Sequence, residues 1–142
     1  MKDVVKRFWD DLYARDWDAL AGHFTDDGEY TDKCTPEQDV ARGPAQIVAR
    51  VKLGLEPLEK ISDTDRRVYQ DGDVCVVEHV EHWDWPTGER ASLPFVSVME
   101  FRDGKLARWW DYWDLATLMN NAPAWWVEHI MTESARIGLT SI

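Results

Sequence analysis

The stretch RWWDYWD at residues 108–114, taken together with EHVE at residues 78–81, decides the fold and points to a functional site. Both stretches lie in segments rich in aromatic and β-branched residues, which is typical of strands. Because side chains alternate between the two faces of a strand, Asp111 shares a face with two tryptophans, and His79 shares one with Glu81. Taking a charge out of water is costly, so ionisable groups on an apolar face are candidates for acid–base chemistry.

Length and composition indicate a soluble globular protein with a full hydrophobic core. The chain has 142 residues, of which 44% are hydrophobic and 30% charged, so we expect a single domain over residues 1–142. A net charge of −11 argues against nucleic acid or an anionic membrane as a partner. No apolar run approaches the ~18 residues of a membrane span. Residues 1–7 lack the apolar core of a signal peptide, so a cytoplasmic location is expected.

Hydrophobic periodicity and turn residues predict helices first and strands afterwards. Helices are predicted at 2–15, 17–24, 43–54, 115–121 and 124–136, strands at 29–31, 58–70, 74–85, 91–102 and 105–114, a turn at 25–28 and a loop at 32–42. The last four strands form an antiparallel meander, which gives an α+β domain with helices packed on one sheet face. A strongly curved sheet wrapped round these helices would make a cone with an open mouth.

Cysteine and tryptophan usage bears on the kind of site. Cys34 and Cys75 have neither metal-ligand spacing nor a disulfide pattern, so no metal site is expected. Seven of the nine tryptophans fall between residues 83 and 126, mostly beside the ionisable candidates. Wide aromatic side chains line ligand cavities as well as fill cores, so we expect a small apolar molecule as the partner. The residues expected to line its pocket are Val77, Trp83, Leu93, Phe95, Trp109 and Trp113.

The ionisable groups of the two strands allow two interpretations. If the strands face each other across the cone, His79 can bridge the carboxylates of Asp111 and Glu81 in a hydrogen-bonded triad, with their pKa values pushed apart. Alternatively, these groups form a structural ion pair or lie on a solvated face. A one-residue slip in register would turn Glu78 and His82 inward in place of the first set.

Tyr30 and Asp32 form a second candidate pair. They lie two residues apart in a short predicted strand and therefore on the same side. A tyrosine hydroxyl and a carboxylate at a pocket wall can hold a water molecule in place. The alternative is that Tyr30 belongs to the core and Asp32 to a turn.

At these residues the chain resembles the limonene-1,2-epoxide hydrolase group of the SnoaL-like, NTF2-like superfamily, over residues 3–121. The sharpest part is WDYWDL at 110–115, where the family has Arg-Asp-Tyr-Phe-Asp-Leu on its last strand. Further support comes from PTG at 86–88 and DGK at 103–105, each before a strand. The resemblance implies a cone-shaped NTF2-like fold in which a curved, antiparallel or mixed sheet wraps round N-terminal helices.

The resemblance also implies roles for the candidate residues. Asp111 matches the general base that activates water, and Glu81 matches the aspartate that protonates the epoxide oxygen. His79 stands where the family has an arginine that bridges the carboxylates. Tyr30 and Asp32 match a Tyr-x-Asn pair that holds the water, with a carboxylate in place of the amide.

The implied function is cofactor-independent hydrolysis of an epoxide of an apolar cyclic compound, in a homodimer. Two other functions fit the same residues: a SnoaL-like cyclase or ketosteroid-type isomerase with an aspartate base, and a non-catalytic small-molecule-binding domain. Residues 122–142 extend past the usual end of the family as a helical extension. An apolar stripe of Trp125, Trp126 and Ile130 there would pack on the domain, close the cone mouth or cover a dimer surface.

Overall fold

The computed structural model describes residues 1–35 and 40–136. The helices are α1 (Lys2–Tyr13), α2 (Trp17–Ala21), α3 (Gly43–Leu55), α4 (Leu115–Asn121) and α5 (Ala124–Arg136). The strands are β1 (Phe24–Asp32), β2 (Val40–Arg42), β3 (Lys60–Asp71), β4 (Val74–Asp84), β5 (Arg90–Arg102) and β6 (Lys105–Trp113). Residues 137–142, the end of the predicted C-terminal extension, lie outside the described residues.

The strands form one open mixed sheet in the order β2-β1-β6-β5-β4-β3. Strands β3 to β6 pair in sequence as an antiparallel meander, which confirms the predicted α+β class. Strand β1 adds to the edge of β6 in parallel, and β2 pairs with β1 antiparallel. The parallel pair places Asp32 directly opposite Asp111, so residues from the two ends of the chain meet in the middle of the sheet.

Helix α1 carries the core contacts that hold the helices on the inner face of the sheet. Its apolar residues recur at helical spacing, and Phe8, Trp9 and Leu12 are buried. The ring of Phe8 packs edge-on against Trp109 of β6 with centroids 5.0 Å apart. Edge-to-face aromatic pairs add to the free energy gained from burial alone, so this contact helps fix the helix on the sheet.

Burial along the strands confirms the predicted register. On β4, His79 and Glu81 are buried, while Glu78 between the inward-facing residues is exposed. On β6, Trp109 and Asp111 are both buried. The alternative register, with Glu78 inward, is therefore excluded. At the β5–β6 hairpin turn Gly104 has φ of +77°, a conformation that favours glycine.

Several predicted boundaries were wrong near β1. The predicted turn at 25–28 lies inside β1, whose pairing with β6 shifts register between Phe24 and Glu29 and so accommodates the extra residues. The predicted loop at 32–42 includes strand β2.

Gly54 does not end α3, because the helix continues to Leu55. Helices α1 and α2 end at Tyr13 and Ala21, earlier than predicted.

Across the two described ranges, no helix has both the length and the apolar character needed to cross a membrane.

Asp16 caps α2 as its sequence position suggests, accepting a hydrogen bond from the amide of Ala19 at 3.2 Å. Asp114 caps α4 in the same way, with the amide of Ala116 as the donor. Asp16 thus marks where α2 begins after α1, and Asp114 marks where the chain leaves β6 and begins α4.

Candidate active site

A cavity of about 720 Å³, counting the open space at its mouth, lies between the sheet and helices α3, α4 and α5. Eight of the predicted site residues line it: Tyr30, Asp32, Glu81, Trp83, Phe95, Trp109, Asp111 and Trp113. Its far wall is formed mainly by apolar side chains, among them Leu118, Trp126 and Ile130. The cavity therefore joins ionisable groups on the sheet to an apolar wall on the helices, as small-molecule sites do.

Asp111 lies on β6 and is only 2% exposed. Its Oδ1 atom accepts hydrogen bonds from the hydroxyl of Ser97 at 2.6 Å and from Nε1 of Trp109 at 2.5 Å. Ser97 sits directly opposite Asp111 on β5, so the sheet register itself supplies this donor. With Oδ1 held by two donors, Oδ2 is the oxygen available for chemistry.

Tyr30 and Asp32 meet Asp111 from the neighbouring strand. The Tyr30 hydroxyl lies 2.6 Å from Oδ1 of Asp32 and 3.2 Å from Oδ2 of Asp111. Trp113 donates from Nε1 to the same Asp32 oxygen at 3.1 Å. A phenol with one proton thus stands between two buried carboxyl groups. Alternation predicted that Tyr30 and Asp32 share a side, and the pairing of β1 with β6 adds the contact with Asp111.

Burial raises the pKa of every acid in this cluster. The pKa of Asp111 lies well above its ordinary value, first because the group is buried and then because Asp32 carries the same charge nearby. Burial also raises the pKa of Asp32, against hydrogen bonds from Tyr30 and Trp113 and the charge of Arg50 in the cavity wall. The Asp32–Asp111 pair therefore holds its protons more firmly than two solvated aspartates do.

Glu81 forms a second acidic group in the cavity wall. Trp83 donates from Nε1 to Oε1 of Glu81 at 3.1 Å, and the Tyr13 hydroxyl donates to Oε2 at 2.9 Å. Burial raises the pKa of Glu81, and the positive charge of His79 is the main influence opposing that rise. The charge of Glu81 in turn helps raise the pKa of Asp111, which ties the two acidic groups into one electrostatic cluster.

His79 does not take the predicted bridging position between Asp111 and Glu81. Its Nδ1 atom lies 2.9 Å from Oδ2 of Asp63 and 3.2 Å from the Tyr13 hydroxyl. Asp63 occupies the position opposite Glu81 on β3, so a carboxylate from the sheet edge engages the imidazole first. His79 is buried, as predicted, but it does not line the cavity.

Asp63 is itself held by Arg66. The guanidinium donates from Nε to Oδ2 at 2.7 Å and from Nη2 to Oδ1 at 2.9 Å, a bidentate pair. Burial would raise the pKa of Asp63, but the hydrogen bonds from His79 and Arg66 outweigh it and lower the pKa to about 2. Asp63 is therefore ionised at neutral pH.

The amino-acid sequence also matches the model of a known protein family. The model of the family described as a SnoaL-like domain matches residues 5–109, well over half of the chain. The chain belongs to the SnoaL-like family. A search of the curated proteins found no match.

Solved structures share the fold of this SnoaL-like chain. A protein from Catenulispora acidiphila with a ketosteroid isomerase-like fold, in complex with trimethylamine, is 20% identical, with a TM-score of 0.73, over 83% of this chain and 90% of that one. A candidate SnoaL-like polyketide cyclase from Shewanella putrefaciens is 15% identical, with a TM-score of 0.75, over 84% and 93%. An epoxide hydrolase from M. tuberculosis described as LEH-like is 19% identical, with a TM-score of 0.70, over 83% and 85%. These likenesses confirm the predicted cone-shaped NTF2-like fold.

Two predicted pocket residues of the SnoaL-like chain lie elsewhere. Val77 and Leu93 are fully buried and do not line the cavity. Alternation places them correctly on the inner face, but it does not show where along a strand the core ends and the cavity begins. The apolar stripe predicted in the C-terminal extension also lies only partly at the cavity. Trp126 lines the cavity, while Trp125 is 40% exposed.

Sequence reasoning missed Ser97, Tyr13 and Asp63. Ser97 had a usable signal, since it is a polar residue between buried Phe95 and Met99 on the inner face of β5. Tyr13 reads from sequence as one more apolar residue of α1. Asp63 had no signal, because most of β3 is half-buried or exposed. In the described part of the chain no cluster of His, Cys, Asp or Glu has the arrangement of a metal site.

Proposed function

We propose that this SnoaL-like protein adds water to an epoxide of an apolar cyclic compound by general acid–base catalysis, without a cofactor. One observation carries the proposal: two separate acidic groups, the Tyr30–Asp32–Asp111 cluster and Glu81, line the same largely apolar cavity. Epoxide opening by water needs a base on the water and an acid on the leaving oxygen, and each typically contributes about 10²–10⁴-fold to the rate.

Asp111 is the proposed base. Ser97 and Trp109 hold its Oδ1 atom, which leaves Oδ2 to take a proton from a water placed beside the Tyr30 hydroxyl. Asp32 keeps that hydroxyl oriented through the 2.6 Å hydrogen bond. The proton shared by the Asp32–Asp111 pair lies on Asp32 when Asp111 acts, so only one member of the pair is ionised at a time.

Glu81 is the proposed acid. Because burial raises its pKa, Glu81 holds a proton more firmly than a solvated glutamate and can give it to the epoxide oxygen. Water attacks one epoxide carbon as the carbon–oxygen bond breaks, and the product is a diol. No covalent intermediate with the protein is required.

The cavity wall indicates the substrate class. Trp83, Phe95, Trp113 and Trp126 present broad apolar surfaces around the carboxyl groups. The rings of Phe95 and Trp113 lie nearly parallel, at an angle of 11° with centroids 6.1 Å apart, so two aromatic rings line the cavity together. This wall supports a compact cyclic hydrocarbon bearing an epoxide as the substrate, and the M. tuberculosis epoxide hydrolase has the same fold.

A second candidate function is isomerisation or cyclisation of an enolisable ketone. It is favoured by the Tyr30 hydroxyl beside two carboxyl groups whose pKa values burial raises, since a phenol and a protonated carboxyl group can stabilise an enolate oxygen while the other carboxylate removes a proton. The S. putrefaciens protein is a candidate cyclase of the same fold. Only the hydrolase incorporates oxygen from solvent into its product.

Homodimer formation remains a proposal carried over from the family resemblance. Tyr112 and Tyr69 are 42% and 52% exposed, so the strands offer aromatic surface for a second copy. Light scattering on the wild type and on Tyr112→Glu tests it. A dimer that the substitution dissociates supports the proposal, and a wild-type monomer refutes it.

The deciding experiment uses water enriched in oxygen-18. The wild type, Asp111→Asn and Asp114→Asn are incubated with a panel of cyclic epoxides that includes limonene oxide, and products are identified by mass spectrometry. Asp114→Asn is the matched control, because Asp114 is exposed and asparagine also caps a helix. We expect labelled diol from the wild type and the control, and none from Asp111→Asn. No diol from any epoxide would move the assignment to the isomerase or cyclase, and the next panel would be enolisable ketones.

A further inference from the structure

We propose that Tyr13, His79 and Asp63 form a relay of hydrogen bonds that returns a proton to Glu81 after each turnover. The relay leads from the cavity wall to a cleft on the protein surface, so it reaches solvent by a route separate from the cavity mouth. The inference rests on the proposed role of Glu81 as the acid.

The inner end of the relay is the contact between Glu81 and Tyr13. Glu81 is 3% exposed and lines the cavity, and the Tyr13 hydroxyl lies 2.9 Å from its Oε2 atom. The same hydroxyl lies 3.2 Å from Nδ1 of His79. A hydroxyl both donates and accepts, so Tyr13 can pass a proton to Glu81 while it accepts one from His79.

The middle of the relay is the Nδ1 atom of His79. Asp63, whose pKa is lowered to about 2, is ionised and can only accept a hydrogen bond, so Nδ1 carries the proton between them. That N–H is within reach of both Asp63, at 2.9 Å, and Tyr13, at 3.2 Å. The imidazole is therefore placed to move its proton inward.

The other imidazole nitrogen argues against a purely packing role. Nε2 of His79 is buried and has no hydrogen-bond partner in the described part of the chain. The ring packs against Trp9 and Phe95, with centroids 4.7 Å and 5.7 Å away. An apolar aromatic side chain would fill the same space without leaving a buried nitrogen unpaired. The advantage of histidine at this position is therefore its hydrogen bonding at Nδ1.

The outer end of the relay reaches solvent at Asp63 and Arg66. Their side chains are 10% and 23% exposed, and both line a surface cleft with Lys2 and Lys6. The bidentate contact with Arg66 fixes the Asp63 carboxylate against Nδ1 of His79. The register of β3 on β4 shifts just after this point, between Thr64 and Arg67, which marks an irregular strand where Asp63 meets the cleft.

The chemistry of the proposed reaction creates the need for such a route. Each turnover moves one proton from water to Asp111 and one from Glu81 to the product oxygen. While an apolar molecule fills the cavity, bulk water has little access to Glu81. A route through the protein interior lets Glu81 recover its proton before or during product release.

The proton balance closes over one cycle. Tyr13 passes its hydroxyl proton to Glu81 and takes the Nδ1 proton from the imidazolium form of His79, which becomes a neutral imidazole protonated at Nε2. His79 then regains a proton at Nδ1 from water through Asp63. Asp111 releases the proton it removed from water to solvent through the cavity, so the protein ends the cycle as it began.

The first test separates the first turnover from later ones. Asp63→Asn keeps a side chain of the same size but cannot carry a proton, and Asp65→Asn is the control in the same cleft, outside the chain of hydrogen bonds. With excess epoxide, Asp63→Asn should form one diol per chain at the wild-type rate and then slow about 10²-fold, the lower end of a positioned proton carrier's contribution. Tyr13→Phe, which leaves Asp63 and its charge in place, should show the same burst.

Other kinetic outcomes overturn the relay. Equal slowing of the first and later turnovers in Asp63→Asn would mean that Asp63 only maintains the site. Unchanged kinetics would mean that Glu81 recovers its proton by another route. A burst in Asp65→Asn as large as that in Asp63→Asn would make the effect one of surface charge.

The second test does not depend on diol formation. After a rapid drop in pH, the infrared band of the protonated Glu81 carboxyl group, assigned by its loss in Glu81→Gln, reports how fast Glu81 gains a proton. We expect the rate in Asp63→Asn to fall about 10²-fold, with Asp65→Asn matching the wild type. If the wild type forms no diol but this slowing is seen, the hydrolase assignment fails and the relay stands. Equal rates in all three proteins refute the relay whatever the reaction is.

Discussion

The hydroxyl of Ser97 donates a 2.6 Å hydrogen bond to Oδ1 of Asp111 from the directly opposite position on the neighbouring strand. Ser97 is fully buried, so water cannot replace this donor. The bond stabilises the ionised form of Asp111 against a pKa raised by burial and by Asp32. It therefore fixes both the orientation of the proposed base and the range of pH in which it works.

Ser97→Ala should weaken both catalysis and stability. With one donor lost, the pKa of Asp111 rises further, and we expect kcat at neutral pH to fall about tenfold, equivalent to about one pKa unit. The buried oxygen left without this donor should lower the free energy of unfolding by about 1–3 kcal/mol. Urea unfolding and a pH–rate profile measure the two effects. Ser92→Ala is the control on the same strand, since Ser92 is exposed, and an equal loss there would contradict the assignment.

Asp111→Asn should abolish turnover and increase stability. The amide oxygen can still accept from Ser97 and Trp109, but it cannot take a proton from water, so we expect kcat to fall about 10²–10⁴-fold. Removal of one buried acidic group beside Asp32 should raise the free energy of unfolding at neutral pH, because burial and the charge of Asp32 both oppose ionisation of Asp111. Retained activity in this variant would place the base on another residue.

Stability should fall as the pH rises above about 4, the ordinary pKa range of carboxyl groups. Asp111 and Glu81 have raised pKa values in the folded protein, so the folded state binds more protons than the unfolded state between the ordinary and the raised values. Their contribution is fully present at low pH and is lost as the pH rises through the folded pKa values. Unfolding free energies measured across this range should fall less steeply in Asp111→Asn. A slope equal to that of the wild type would show that Asp111 has an ordinary pKa.

The contribution of Asp63 to stability should change with pH in the opposite direction to that of Asp111 and Glu81. Its folded pKa of about 2 lies below the ordinary aspartate pKa of about 3.9, so its contribution is present above about 4 and is lost as the pH falls towards about 2. Asp63→Asn should remove that part of the acid-induced loss of stability. The exposed Asp65→Asn should leave it unchanged, and identical acid unfolding of the two variants would refute the ion pair.

Substitution of Trp126 should destabilise the protein much more than substitution of Trp125, although the two residues are neighbours in α5. Trp126 is 1% exposed, and its Nε1 atom donates to the carbonyl of Gly54 on α3 at 3.0 Å. Trp126→Ala should therefore lower the free energy of unfolding by about 3–5 kcal/mol. Trp125→Ala should cost within about 1 kcal/mol, since Trp125 is 40% exposed and its bond to Thr87 is at the surface. Comparable losses in urea unfolding would contradict the placement of α5.

The inner face of the sheet was predictable because burial follows a local pattern. Alternation alone placed Asp111, His79 and Glu81 on the inner faces of their strands, and the structure confirms all three as buried. It also placed Tyr30 and Asp32 together, and they are linked by a 2.6 Å hydrogen bond. Successive side chains of a strand point to opposite faces, so this pattern can be recognised without knowing which strands lie beside it.

The partners of these residues were not predictable in the same way. His79 meets Tyr13 from a helix 66 residues earlier and Asp63 across a strand pair whose register shifts nearby. Such contacts depend on the curvature of the sheet and on how α1 lies across it, which no local pattern specifies. The predicted turn at residues 25–28 failed for a related reason, because pairing with a strand about eighty residues later keeps that segment extended.

The origin of the cavity wall has a consequence for how such proteins diversify. The acidic groups come from the sheet, while Leu118, Trp126 and Ile130 come from the last two helices. Mutational drift in those helices can reshape the space offered to a ligand while the hydrogen bonds of Asp111 and Glu81 stay intact. Reactivity and selectivity can thus be inherited separately within one short chain, and replacement of α4 and α5 by the corresponding helices of another family member is a direct way to exchange one without the other.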